Sequence, residues 1–122
     1  MLQRGRGAIV TMASSAARLP GLGAPAAYMA AKAGVIMLTR QVASEAGPHG
    51  VRANCLAPHT ILTEQIRQVA PEGWRERMAA AIPLRRLGTL EDVAQAAVFL
   101  ASDSAAWLTG ITLDVAGGYV MT

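Results

Sequence analysis

Three short apolar runs, each bracketed by turn-forming residues, set the limits on how this chain can fold. Ala8-Ile-Val-Thr-Met-Ala13 follows Gly5 and Gly7, Val51 to Ala57 closes at Pro58, and Ile111 to Val115 precedes Gly117-Gly118. Runs this short and continuous suit strands buried on both faces, as in a parallel sheet. Between the first two lies an alanine-rich helical pattern, with Pro25 in its first turn and Gly47-Pro48 stopping it near residue 46. Between the second and third come two short helical patterns, at about residues 63–69 and 72–81, and a loop over residues 82–88. A longer helix follows to about residue 101, opened by Thr89-Leu-Glu-Asp92, a capping-box-like start with Asp in place of Glu or Gln. Val93, Ala94, Ala97, Val98 and Ala101 give it an apolar stripe. Strand, helix, strand, helix, strand is the pattern of crossover units feeding a parallel sheet, so the fold class is α/β.

Three strands are too few for a complete doubly wound sheet. The first run opens the chain with no partner upstream, and a bare apolar strand edge promotes aggregation. The expectation is a single partial domain over residues 1–122, the C-terminal part of a doubly wound, Rossmann-like parallel sheet. Room for one core, 52% hydrophobic residues and 16% charged residues argue against disorder. Aromatic residues are only 4%, so the core is built from small and branched side chains. In the long helix the face carrying Ala27, Ala30, Ala31 and Gly34 is nearly smooth, which suits tight packing on a sheet or another helix.

Several function classes fall away. The formal net charge is +3, but the arginines are scattered and few aromatics accompany them, so no stacking platform for nucleic acid is expected. The single cysteine, Cys55, cannot form an internal disulfide and sits in an apolar run as a small hydrophobe. With only His49 and His59 beside it, no metal set assembles. No apolar run approaches the ~18 residues of a membrane span. Residues 1–44 lack acidic side chains, as transit peptides do, yet they hold strand, loop and helix patterns that a leader does not need. A cytoplasmic location is the expectation.

The chemistry concentrates at Tyr28 and Lys32. Lys32 is the only lysine; the other ten basic residues are arginines. Four residues apart on a helix, the phenol and the ammonium lie on one face. A tyrosine loses its proton at a pH of about 10, and a neighbouring cation lowers that value by favouring the phenolate. The pair reads as a general acid/base and its tuner, with the compact ammonium a different ligand from a guanidinium fork. Ser14-Ser15 ends the first strand, where ligands bind in open α/β sheets. Gly21-Leu-Gly-Ala-Pro-Ala26 satisfies G-x-G-x-x-A, but seven residues separate it from the strand end, so a loop bordering a substrate cleft is the better reading.

These motifs together resemble the short-chain dehydrogenase/reductase family, and within it the β-ketoacyl carrier-protein reductase-like members. Gly7 to Ser15 looks like the family's fifth strand with its catalytic serine, which the family places thirteen residues before the tyrosine, selecting Ser15 over Ser14. Tyr28-Met-Ala-Ala-Lys32-Ala-Gly34 matches the Y-x-x-x-K-A-G helix, and Asn54-Cys-Leu-Ala-Pro58 the sixth strand's N-x-x-x-P. Pro83 to Gly88, Glu91 to Ala94, and Thr109-Gly110 through Gly117-Gly118 match the C-terminal part. The resemblance implies catalytic roles for Ser15, Tyr28 and Lys32. It implies cofactor contacts for Tyr28, Lys32, Pro58, Ile61 and Thr63, NAD or NADP as cofactor, and a small carbonyl or alcohol substrate. It also implies a homo-oligomer paired through the helix over residues 25–46. Trp74 and Met78 fall in the family's mobile substrate lid, where they line a pocket or pack a helix face. His59 stands where the family usually has glycine, and Met1 to Gly5 look like the end of its fourth helix. The family's N-terminal dinucleotide-binding half has no counterpart here.

Two readings of function follow. One is an NAD(P)-dependent oxidoreductase transferring hydride between nicotinamide and a carbonyl or alcohol. The other is a truncated, inactive fragment that serves at most as an association module.

Overall fold

The computed structural model describes residues 1–20 and 23–121. Three parallel strands lie in the order β1 (Gly7–Met12), β2 (Val51–Pro58), β3 (Thr112–Val115). The helices are α1 (Ala26–Ala46), α2 (Glu64–Val69), α3 (Trp74–Ala81) and α4 (Leu90–Ala101). The α/β class, the parallel sheet and the crossover order expected from the sequence are all present. Residues 2–4 form a single 3₁₀ turn. Among the described residues, no helix is long and apolar enough to cross a membrane.

The register runs from Gly7 opposite Val51 to Met12 opposite Leu56, and from Cys55 opposite Thr112 to Pro58 opposite Val115. Side chains alternate across a strand, so β2 presents two faces. Its odd-numbered residues meet α1: Cys55 packs with Ala13 and Ile36, and Thr39 on α1 shares a 2.6 Å hydrogen bond with Thr11 on β1. Its even-numbered residues meet α4 and the connection beyond it. Arg52 donates to the carbonyls of Leu100 (2.8 Å) and Ser102 (2.9 Å), satisfying groups that the end of α4 leaves without helical partners.

Asn54 does the same work further along. Only 1% exposed, it donates to the Leu108 carbonyl at 2.8 Å and accepts from the Ile111 amide at 3.2 Å. That clamp delivers the chain into β3 in register. The start of α4 is held by the full capping box: Thr89 Oγ1 accepts from the Asp92 amide at 3.1 Å, and Asp92 accepts from the Thr89 amide at 2.7 Å. Aspartate therefore serves where glutamate is usual. Arg86 adds a two-point ion pair to Asp92, at 2.6 and 2.8 Å, and with Thr89 holds that carboxyl well below the usual range.

Two expectations need correction. Only β2 is buried on both faces; β1 and β3 are half-exposed along most of their length. Both flank the sheet, and β1 has hydrogen-bonded neighbours on one side alone. Of the two packings expected for the smooth face of α1, the one on the sheet is not made: Ala27, Ala30, Ala31 and Gly34 are exposed, and the face on the sheet is Ile36, Thr39, Ala43 and Ala46.

Asn54→Ala strips the Ile111 amide of its partner and leaves the Leu108 carbonyl only the 3.5 Å contact with Arg52, and a group left unsatisfied costs about 1–3 kcal/mol. The expected loss is about 1–3 kcal/mol, seen as a lower urea midpoint with an unchanged slope. A loss below about 0.5 kcal/mol would show that water replaces the clamp at no cost.

Candidate active site

The site lies beyond the C-terminal ends of the strands, where an open α/β sheet leaves a crevice. Ser14 ends the extended segment after β1 and its hydroxyl accepts from the Ala16 amide at 3.2 Å, capping a 3₁₀ turn over Ser15–Ala17. With Ser14 engaged by the turn, Ser15 is the hydroxyl turned toward β2. It is 3% exposed, and its Oγ lies 2.8 Å from Nδ1 of His59. His59 directly follows β2, fixed there by its amide donating to the Val115 carbonyl at 3.1 Å.

Tyr28 sits in the first turn of α1 and is 44% exposed. Lys32, one turn on, places Nζ 5.7 Å from the Tyr28 ring centroid. The same ammonium donates to the Met12 carbonyl at 3.0 Å, tying the helix to the end of β1. Ser14, Ser15, Ala16, Ala24, Tyr28, His59 and Thr60 line one cleft of about 160 Å³. The structure thus brings Ser15 and Tyr28 to one cleft, with Lys32 beside the Tyr28 ring rather than in the cleft lining.

Pro58, Ile61 and Thr63 are placed differently. Pro58 closes β2. Ile61 forms a parallel bridge with Gly88, and a Cβ there would come within 2.5 Å of the tip of the Ile61 side chain, which would have to shift. Thr63 caps α2, its Oγ1 accepting from the Ile66 amide at 3.2 Å. Each occupies a structural position, and none of the three lines the cleft that holds Ser15 and Tyr28. Trp74 and Met78 are half-buried on α3.

Two features were not foreseen. The His59 ring stacks on Tyr119, with centroids 4.0 Å apart and planes 12° from parallel. Among the described residues its buried Nε2 has no hydrogen-bond partner, and burial lowers the imidazole pKa from its ordinary value of 6.5. The second is an ion pair, Arg18 to Asp114 at 3.2 Å, joining the loop after β1 to β3. Burial pushes the Asp114 carboxyl above its ordinary range, against the pull of Arg18. Position 59 was flagged by its departure from glycine, but nothing in the spacing of residues 15, 59 and 119 reveals that they meet.

A family model described as enoyl-(acyl carrier protein) reductase matches residues 1–120. The chain belongs to the short-chain dehydrogenase/reductase family. It is 45% identical to a Xanthobacter autotrophicus member, "Inactive 2-(S)-hydroxypropyl-CoM dehydrogenase 2", over 97% of this chain and 53% of that protein. Among solved members, a 3-oxoacyl-[acyl-carrier protein] reductase from Brucella melitensis superposes with a TM-score of 0.92 and 36% identity, covering 99% of this chain and 45% of its own. A gluconate 5-dehydrogenase from Burkholderia cenocepacia, in complex with NADP and tartrate, gives 0.87 and 33%, covering 97% and 46%. A second Brucella reductase structure, with bound NAD, gives 0.85 and 33%, covering 99% and 44%. The chain spans about half the length of the family members it matches.

The residues present fit the nicotinamide-ribose end of such a cofactor. An ammonium has three protons, and the Met12 carbonyl takes one, leaving donors for a ribose. Among the described residues, the pyrophosphate end finds no cradle of the usual kind. β1 passes into α1 through a 3₁₀ turn and a loop to Pro25, not the tight glycine turn that aims amides at phosphate. The first two positions of the Gly21-to-Ala26 pattern lie outside the described residues.

The burial of His59 has a consequence in acid. Its folded pKa lies below the unfolded value of 6.5, so the unfolded chain binds more protons in that window and stability falls as pH drops through it. Urea midpoints measured from about pH 7.5 to about pH 5 should decline, and His59→Asn should flatten part of the decline. A slope unchanged by the substitution would place the acid sensitivity elsewhere.

Proposed function

We propose that this chain carries the catalytic end of an NAD(P)-dependent carbonyl/alcohol oxidoreductase. The observation behind it is the convergence of Ser15 and Tyr28 on one cleft, with the chain's only lysine 5.7 Å from the tyrosine ring. Ser15 donates a hydrogen bond to the substrate oxygen, orienting and polarising it. Tyr28 transfers a proton to or from that oxygen. Lys32, braced on the Met12 carbonyl, places its ammonium beside the Tyr28 ring and offers its remaining protons to a ribose. A nicotinamide, when bound, supplies or accepts the hydride. Pro58, Ile61 and Thr63 are the residues against which that cofactor end would rest. NAD and NADP are both compatible with these residues, and the substrate class is a small carbonyl or alcohol.

A second reading has its own support. The outer edge of β1 is unpaired, and Met37 and Leu38 on α1 are each 61% exposed. A chain with these surfaces is built to associate, with a second copy through α1 or with a chain that completes the sheet, whether or not it turns over substrate. A cytoplasmic setting suits either reading.

Two measurements bear on the proposal. Residues 1–122 alone should bind NADH and NADPH more weakly than millimolar, an affinity of about −4 kcal/mol, because ribose and nicotinamide contacts must offset the lost freedom of the ligand without a phosphate cradle. Micromolar binding by calorimetry would reveal a cofactor site of another kind. In a chimera with the dinucleotide-binding half of a family member placed ahead of residue 1, Tyr28→Phe should abolish turnover and leave cofactor affinity within about tenfold. Retention of more than about a tenth of the parent rate would remove Tyr28 from the role of acid.

A further inference from the structure

His59 is the one imidazole in the cleft, and its geometry determines what Ser15 can do. The ring is clamped: stacked on Tyr119 at 4.0 Å, with the backbone amide of His59 held by Val115. Nδ1 faces Ser15 Oγ at 2.8 Å, while among the described residues the buried Nε2 has no partner. A neutral imidazole has one N–H, on one nitrogen or the other, and the two choices give the serine opposite characters. With the proton on Nε2, a donor is buried and unpaired, and Ser15 must spend its only proton on the Nδ1 lone pair. The serine would then show the cleft lone pairs alone. With the proton on Nδ1, the imidazole donates to Ser15 Oγ, and the atom left unpaired at Nε2 is an acceptor. Orphaned buried N–H groups are rarer in proteins than under-satisfied acceptors, so the second arrangement is favoured.

We propose that His59 is a positioning residue that donates from Nδ1–H to Ser15 Oγ, committing the serine's own proton to the substrate oxygen. This rests on the oxidoreductase reading only for the identity of that oxygen; the hydrogen bond itself stands apart from it. Protonation of His59 keeps the Nδ1–H in place, so the serine remains a donor in either charge state. The imidazole thus gives Ser15 a fixed donor direction, where a lone hydroxyl would rotate among partners.

The test uses residues 1–122 labelled with ¹⁵N-histidine, in long-range ¹H–¹⁵N correlation spectra at about pH 8, where a lowered pKa leaves His59 neutral. The chain has two histidines, so His49→Gln assigns both. The expected spectrum shows His59 with the Nδ1–H form in excess, protonated at Nδ1 and bare at Nε2. In Ser15→Ala that excess should fall at least about threefold, because the acceptor that holds the tautomer is gone. A dominant Nε2–H form in the parent chain would overturn the proposal, and so would an excess that Ser15→Ala leaves unchanged. Neither spectrum requires cofactor or substrate. A chimera without turnover would sink the oxidoreductase reading and leave this result standing.

Discussion

Everything in this molecule hangs on β2. It is the one strand with hydrogen-bonded neighbours on both sides and helices over both faces, and Ala53, Cys55, Leu56 and Ala57 along it are fully buried. Strand burial of this kind leaves no room for polar side chains unless each is satisfied. The two that occur, Arg52 and Asn54, spend their polar atoms on backbone carbonyls and an amide of the segment between α4 and β3. The central strand thereby dictates the path of a chain fifty residues further on as well as the register of its neighbours.

The site inherits its geometry from that arrangement. Parallel register sets the ends of β1 and β2 side by side, so that a serine just past one and a histidine just past the other come within hydrogen-bond reach. The third contributor, α1, is drawn to the same end by the Lys32 bond to the Met12 carbonyl. Lys32 is thus both a charge for chemistry and a brace between helix and strand.

How much of this could be read from residue order depended on how local each signal was. The helix boundaries were legible because caps and breakers are local: Gly47-Pro48 after α1 and the Thr89–Asp92 box before α4 act within a few residues. Tyr28 and Lys32 were legible because one helical turn joins them. The half-exposure of β1 was not, since an apolar run looks the same in the middle of a sheet and at its edge. Nor did composition show which face of α1 is buried: alanine suits close packing, yet Ala27, Ala30 and Ala31 face outward while Ala43 and Ala46 join Ile36 and Thr39 on the buried face. His59 is the instructive case. Its oddity was visible, but its partners come from positions 15 and 119, and only the sheet register joins them.

The solitary lysine has a consequence for how this chain meets reactive small molecules. Guanidinium groups do not form imines under ordinary conditions, whereas a side-chain ammonium in equilibrium with its amine does. With positive charge written as ten arginines elsewhere, aldehydes and ketones find one side-chain amine on which to condense, and it lies beside the cleft. Adventitious Schiff-base chemistry therefore has a single side-chain address on this chain, and so do amine-directed labels.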